Sequence, residues 1–377
     1  MAERHCQRRI DRGRLMSTLR NLVDVYSPSG KETEVMAFSA DLLASHGWQP
    51  ERHRVSPGRF NIKIGASGFP RVAFVGHLDT VPAFDVEHIG YREVNGRGFG
   101  LGTADMKSGC AAMLEAFIAA GPDIVAKAGA ALFLVVGEEE NADGITALLD
   151  DFATIPWAVV AEPTDLRVCL SHYGYVEMAL QSFGTRRHAA MAGREYNAIH
   201  SMLGALLDLG NYVELSYPKA VMNIRDLHSS QAGFAVPDRC AAWVDVHISP
   251  AFEPAAVAGD LRAVAERALE TGKTVRHELD FPTQAKGFES RLDNASIDAL
   301  KRACADISLP WKKGVFRSHS DANLMYNAGC QPVILGPGQL ARAHTRDESV
   351  EIAQVVRAAE LYLALLVTLA GSDGMPD

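Results

Sequence analysis

The chain has 377 residues, enough for two domains, and 47% of them are hydrophobic, so each can bury a core. A formal net charge of -9 argues against a nucleic-acid binder, which carries a basic face. The basic opening MAERHCQRR leads into no apolar stretch of signal-peptide type, and the apolar run Leu361 to Leu369 is too short to span a bilayer. Six scattered cysteines without a CxxC pair read as free thiols, and the expectation is a cytoplasmic protein with no membrane or nucleic-acid partner.

Residues 14–48 read as two helices split by the turn SPSGKE, and residues 61–65 and 71–76 as neighbouring strands. The second of these, Val72-Ala73-Phe74-Val75, is an unbroken apolar run of the kind found in a strand buried on both faces of a parallel sheet. At its carboxyl end stand His77 and Asp79, where ligands of open α/β sheets bind; an aspartate there can hold a metal-binding imidazole in one tautomer. The glycine-dense stretch 96–109 fits no GxGxxG pattern, which removes a dinucleotide-binding oxidoreductase, and its glycines let the backbone turn tightly around Asp105. Residues 107–120 follow as a helix ended by Gly121-Pro122. Two more buried strands, 130–137 and 158–161, empty into Glu138-Glu139-Glu140 and Glu162.

The middle of the chain changes character. Segments 174–183, 197–209, 221–227, 239–249, 254–271 and 274–281 follow a β-α-β-β-α-β order, the ferredoxin-like plan. The chain then returns through a helix (294–307), a strand (332–336) and a closing helix (349–370), with His344 in the loop between the last two. The expected architecture is α/β: a mostly parallel sheet flanked by helices, with an inserted ferredoxin-like domain. The expected divisions are 1–171 and 284–377 for the sheet domain and 172–283 for the insert.

One acid at a strand end is ordinarily solvated. Here His77, Asp79, Asp105, Glu138, Glu139, Glu162 and His344 all fall on one rim. Mixed imidazole and carboxylate donors suit zinc and its first-row neighbours better than magnesium or calcium. Two histidines and three carboxylates suffice for two ions about 3.5 Å apart sharing one carboxylate, with a further acid left to deprotonate water.

The segments GHLDTVP, GLGTADMKSG, GEEENADG, AEPT and GPGQLARAH, in this order, resemble the metallo-aminoacylase and peptidase family that includes acetylornithine deacetylase, succinyl-diaminopimelate desuccinylase and the glutamate carboxypeptidases. The resemblance covers nearly the whole chain. It implies two divalent ions, zinc with cobalt or manganese as substitutes: His77 and Glu162 on one, Glu139 and His344 on the other, Asp105 bridging. It implies Glu138 as general base, because Gly144 fits the family's spacing from Glu139, with Asp79 behind His77 and Glu140 left as a surface acid. The implied reaction is amide hydrolysis by water activated between the ions. Glutamate at 162 is similar to deacylases and carboxypeptidases, where dipeptidases and tripeptidases carry aspartate.

The same resemblance makes the insert a lid through which a homodimer forms, with His188 reaching across it to polarise the scissile carbonyl. Asn223 and Pro237 lie near the family's lid pattern. His247 departs from it: an arginine that grips a substrate carboxylate is expected there, and Arg187 or Arg317 is the hypothesised replacement. The reading from sequence is therefore a deacetylase- or desuccinylase-like amidohydrolase. The alternatives are a metallo-exopeptidase and a catalytically silent scaffold.

Overall fold

A computed structural model describes residues 8–66, 68–84, 89–151, 155–193, 195–231 and 233–371, so Cys6 lies outside the described residues. The described cysteines are all free and buried. The chain divides into two compact units: residues 1–170, 290–314 and 320–377, and residues 171–289 with 315–319.

The first unit begins with α1 (Arg12–Asp24) and α2 (Thr33–Ser45), then the strands β1 (Glu51–Ser56), β2 (Arg59–Gly65) and β3 (Val72–His77). After α3 (Lys107–Ala128) come β4 (Ala130–Val135), α4 (Asp143–Asp151) and β5 (Trp157–Pro163). The second unit holds β6 (Gly174–Phe183), α5 (Ala198–Ser216), β7 (Val221–Ser229), β8 (Arg239–Ile248), α6 (Pro254–Thr271) and β9 (Arg276–Asp280). Back in the first unit lie α7 (Asn294–Asp306), α8 (Asp321–Asn327), β10 (Gln331–Gly336) and α9 (Ile352–Gly371).

The nine-stranded sheet contains the run β1-β2-β4-β3-β5-β10, with β4, β3, β5 and β10 parallel and the β1–β2 hairpin antiparallel at one edge, and it continues past β10. β2 and β3 are thus not neighbours, contrary to expectation. The chain leaves β3 through α3 and returns as β4, which inserts between them; that is how a helical crossover delivers parallel strands. Every residue of β3, β4 and β5 is buried, as their apolar runs require.

As expected, the helical run that starts at Lys107 breaks at Gly121-Pro122, so that α3 is two helical stretches meeting at a kink. Gly121 has φ of 76° and kinks the chain, and Pro122 opens a further helical stretch to Ala128, the first-turn position that proline tolerates. The apolar run near the end belongs to α9, a 20-residue helix. Both α3 and α9 have the length and composition of a membrane span, yet most of each lies buried inside this core. Phe74 on β3 joins them by edge-on ring contacts to Phe117 and Tyr362, at 5.2 and 5.9 Å.

In the second unit the strand order is β7-β8-β6-β9, all antiparallel, the ferredoxin-like arrangement. Alternate residues Val176, Met178 and Leu180 of β6, and Ala242, Val244 and Val246 of β8, face a core shared with Met202, Leu206 and Leu209 of α5 and Val257 and Leu261 of α6.

Candidate metal centre

His77 ends β3, Glu138 and Glu139 follow β4, Glu162 lies near the end of β5, and His344 follows β10, so parallel strands deliver most of the cluster to one rim. Asp105 comes from the loop ahead of α3, which approaches β5 closely at Gly109: a Cβ there would lie 2.6 Å from that of Ala161, beside Glu162. Gly137, with φ of 77°, turns the chain out of β4 so that Glu138 and Glu139 face back to the centre.

The distances close around two foci. His77 Nε2 lies 3.3 Å from Asp105 Oδ1 and 3.7 Å from Glu162 Oε1. His344 Nε2 lies 3.1 Å from Glu139 Oε1 and 3.5 Å from Asp105 Oδ2. The triads His77–Asp105–Glu162 and Asp105–Glu139–His344, with donor atoms within 4.8 Å of one another, share Asp105. A third grouping, His77–Glu138–Glu139, includes the candidate base, whose Oε2 is 3.8 Å from His77 Nε2. Glu140 is exposed.

The electrostatics suit cations. His77 is 1% exposed, and its Nε2 is buried without a hydrogen bond, aimed among carboxylates. Burial pushes Glu138 and Glu162 well above the ordinary carboxylate range, and Glu139 upward as well. Asp105, despite burial, is held down at about 2 by His77 and His344. Burial opposes charge on both imidazoles, but the carboxylates win: His77 is raised well above its usual value and His344 to about 10. Such a set of buried acids and imidazoles fits divalent first-row ions.

Asp79 sits behind this set, fully buried. Its carboxylate accepts the Ser29 hydroxyl at 2.7 Å and the Glu138 and Glu139 amides at 3.2 and 3.0 Å. The nearest oxygen to His77 Nδ1 is the main-chain carbonyl of Asp79 at 3.1 Å, with the carboxylate at 3.5 Å. The residue therefore orients the ring and the turn bearing both glutamates.

Reading the sequence missed three supporting groups. Glu348 is 3% exposed, and burial raises it to about 7 although its carboxylate accepts main-chain N–H groups. Asp321, at the start of α8, is raised to about 8 by burial and by Asp79, and one of its carboxylate oxygens is buried without a hydrogen bond. Arg59 joins Glu32 and Asp143 beside the Glu138 turn. The only local signal was the acidic residue four places after His344.

The other candidates lie in the second unit. His188 is exposed and its Nδ1 accepts the Ala190 amide at 3.1 Å, which leaves the proton on Nε2. Main-chain hydrogen bonds hold its segment beside residues 234–236: Ala189 N donates to Phe234 O and Val236 N to Arg187 O. The Arg187 guanidinium stands 5.3 Å over the Tyr196 ring. Asn223 donates to Asp245 at 3.3 Å. Arg317 reaches Lys219 O and the Tyr173 hydroxyl, each at 3.4 Å. His247 packs 5.2 Å from Tyr175, and burial lowers its pKa.

Residues 73–368 match the model of Peptidase family M20/M25/M40. A probable carboxypeptidase of Aspergillus terreus is 25% identical, covering 93% of this chain and 85% of that protein. An acetylornithine deacetylase of Photorhabdus laumondii is 26% identical, covering 78% of this chain and 79% of its own. Among solved structures, a tripeptidase from Staphylococcus aureus superposes with a TM-score of 0.79 at 20% identity, covering 96% of this chain and all of that one.

Proposed function

Because this chain belongs to Peptidase family M20/M25/M40, whose members hydrolyse amide bonds, we propose that it removes a small acyl group from an N-acyl amino acid or related amine, using two divalent ions, zinc by preference. The observation that carries this reading is the pair of donor triads meeting at Asp105, with Glu138 beside them and left over from both. His77 and Glu162 would hold one ion, Glu139 and His344 the other, and Asp105 both. Ions held there supply a Lewis acid for the amide carbonyl and make water ionise near neutral pH.

This chain's own residues do the rest. Glu138, raised by burial, is suited to take a proton from the attacking water and to hand it to the amine nitrogen as the C–N bond breaks. Asp79 keeps the His77 ring and the Glu138–Glu139 turn in place. In the second unit, the Nε2–H of His188 is a donor available to a developing oxyanion, and we assign it to the centre of a partner protomer. A homodimer is supported by β7, an edge strand of its sheet, and by Leu203 and Leu207 of α5, one turn apart and 43% and 69% exposed.

Carboxypeptidase action is the second reading, favoured by the fungal relatives that match over most of the chain. Amine release from N-acetyl, N-formyl, N-succinyl and dipeptide substrates, with Zn²⁺ or Co²⁺ added, separates the two. Turnover of one acyl class, lost on chelation and in Glu138→Ala, is expected. Turnover of peptides alone would replace the deacylase reading, and silence from protein that binds no ion would end both. Light scattering tests the dimer, and a monomer would remove His188 from the mechanism. A cytoplasmic location belongs to the same proposal, and fractionation of the native cells tests it.

A further inference from the structure

We propose that Glu348 is a positioning residue that ties the Asp105 loop to the His344 loop and so fixes the shared carboxylate before any ion arrives. The inference rests on the metal-centre reading above. Residues 100–105 form a turn in which Leu101 N and Thr103 N donate to the Ile89 and Gly100 carbonyls, and the other buried amides need a partner elsewhere. Glu348 supplies it from more than 240 positions away. Its Oε2 accepts Gly102 N at 2.9 Å, and its Oε1 accepts Ala104 N at 2.8 Å and Asp105 N at 3.0 Å. Its own main-chain carbonyl accepts Gly100 N at 3.2 Å. Four amides of one short loop therefore end on one buried residue.

The placement matters for chemistry because of what lies at each end. Asp105 N is one bond from the Cα that carries the shared carboxylate, and Glu348 follows His344 by four residues. Asp105 must present one oxygen to His77 at 3.3 Å and the other to His344 at 3.5 Å, and those histidines come from different elements. A slack loop would lose one of the two. Anchoring both loops on a single side chain removes that freedom, as supporting partners of ligands do generally. A residue that merely filled the loop's hydrogen-bonding needs would affect folding and leave ion binding alone.

Titration of the cation-free protein with Zn²⁺, followed by calorimetry, distinguishes these roles. The wild type is expected to take up two equivalents. Glu348→Gln turns an acceptor into an NH₂ group facing backbone donors, and at least one equivalent is expected to bind about 10–100-fold more weakly. Glu348→Asp keeps the charge but shortens the reach, and is expected to weaken binding likewise; wild-type affinity there would mean that charge, not position, matters. The absorption of bound Co²⁺ should change in both variants. Two equivalents bound by Glu348→Gln with wild-type affinity, whatever its melting temperature, would overturn the inference. Should the variants not fold, hydrogen exchange of the wild type decides: the Gly102, Ala104 and Asp105 amides must be protected in cation-free protein, and free exchange overturns the idea. A wild type that binds no ion would overturn the metal-centre reading and this inference with it.

Discussion

Removing the Arg59 guanidinium should destabilise the first unit far more than removing it together with its partner. Arg59 donates Nε to Glu32 Oε2 at 2.9 Å and Nη2 to Glu32 Oε1 at 2.7 Å, a two-point pair, and also grips Asp143. The Glu32 side chain is fully buried and that of Arg59 only 14% exposed, so this is not a solvent-screened surface pair. The pairing with Glu32, more than that with Asp143, raises the Arg59 pKa. In Arg59→Met the Glu32 carboxylate would keep only the Gly30 amide at 2.8 Å. Leaving one member of a buried pair uncompensated costs about 3–5 kcal/mol. Glu32→Gln in the same background removes the stranded charge while keeping an acceptor for Gly30, and should restore most of the loss. Urea unfolding of cation-free protein, across wild type, both single variants and the double, gives the coupling energy. A double variant whose loss equals the sum of the singles would refute the reasoning, because coupled neighbours depart from additivity by about 0.5–3 kcal/mol. Asp143 opens α4 just after the Glu138–Glu139 turn, so Arg59→Met should also lower turnover at saturating metal.

Glu138→Gln should lower kcat by about 10²–10⁴-fold with ion content unchanged; loss of an ion instead would exchange the roles of Glu138 and Glu139. His172, fully buried and stacked 4.9 Å from Phe288, has its pKa depressed to about 3, chiefly by burial. Above pH 6.5 it is neutral folded or unfolded; below that the unfolded chain takes the proton first, so stability is lost as pH falls from 6.5 toward 3, by about 2 kcal/mol at pH 5. His172→Phe should remove that part of the acid sensitivity in urea unfolding at pH 7 and pH 5, and an unchanged difference would exclude His172 as its source. Gly109→Ala should cost about 1–3 kcal/mol by overpacking α3 against Ala161, read as a lower melting temperature.

The sheet rim was legible because its signals are local. An apolar run makes a buried strand, and a histidine or acid at its end lands on the rim whatever the rest of the chain does. The insert was legible for a similar reason, since its alternation survives in Val176, Met178 and Leu180. The first hairpin strand was not: Glu51–Ser56 reads ERHRVS, and its exposed edge position imposes no apolar pattern. Strand order failed between β2 and β3 because adjacency in sequence says nothing about a strand inserted later. The supporting groups failed for a deeper reason. Ser29, Arg59 and Glu348 act on partners 27 to 246 residues away, largely through main-chain atoms or one buried charge. No spacing rule marks such residues.

The substrate contacts are harder still, and the second unit shows why. The arginines expected to replace a carboxylate anchor are both exposed and each stands over a ring: Arg187 lies over Tyr196, and Arg317 lies 5.5 Å over the Tyr173 ring and reaches Lys219 O. His247 has its Nδ1 buried without a hydrogen bond and its pKa lowered by burial, so at neutral pH it is an uncharged imidazole. Beside it, Asp245 accepts the Tyr175 hydroxyl at 2.8 Å and the Asn223 amide. An arginine at 247 would bring a fixed cation to this face of the sheet; the histidine brings a neutral ring. Metal chemistry can be read from residue types because few donors bind ions well. Substrate preference turns on which of several polar side chains is free to reach the ligand, and that is decided by packing. His247→Arg therefore should lower KM for substrates carrying a free carboxylate and leave kcat for neutral ones unchanged, and equal effects on both would show that this face does not read substrate charge.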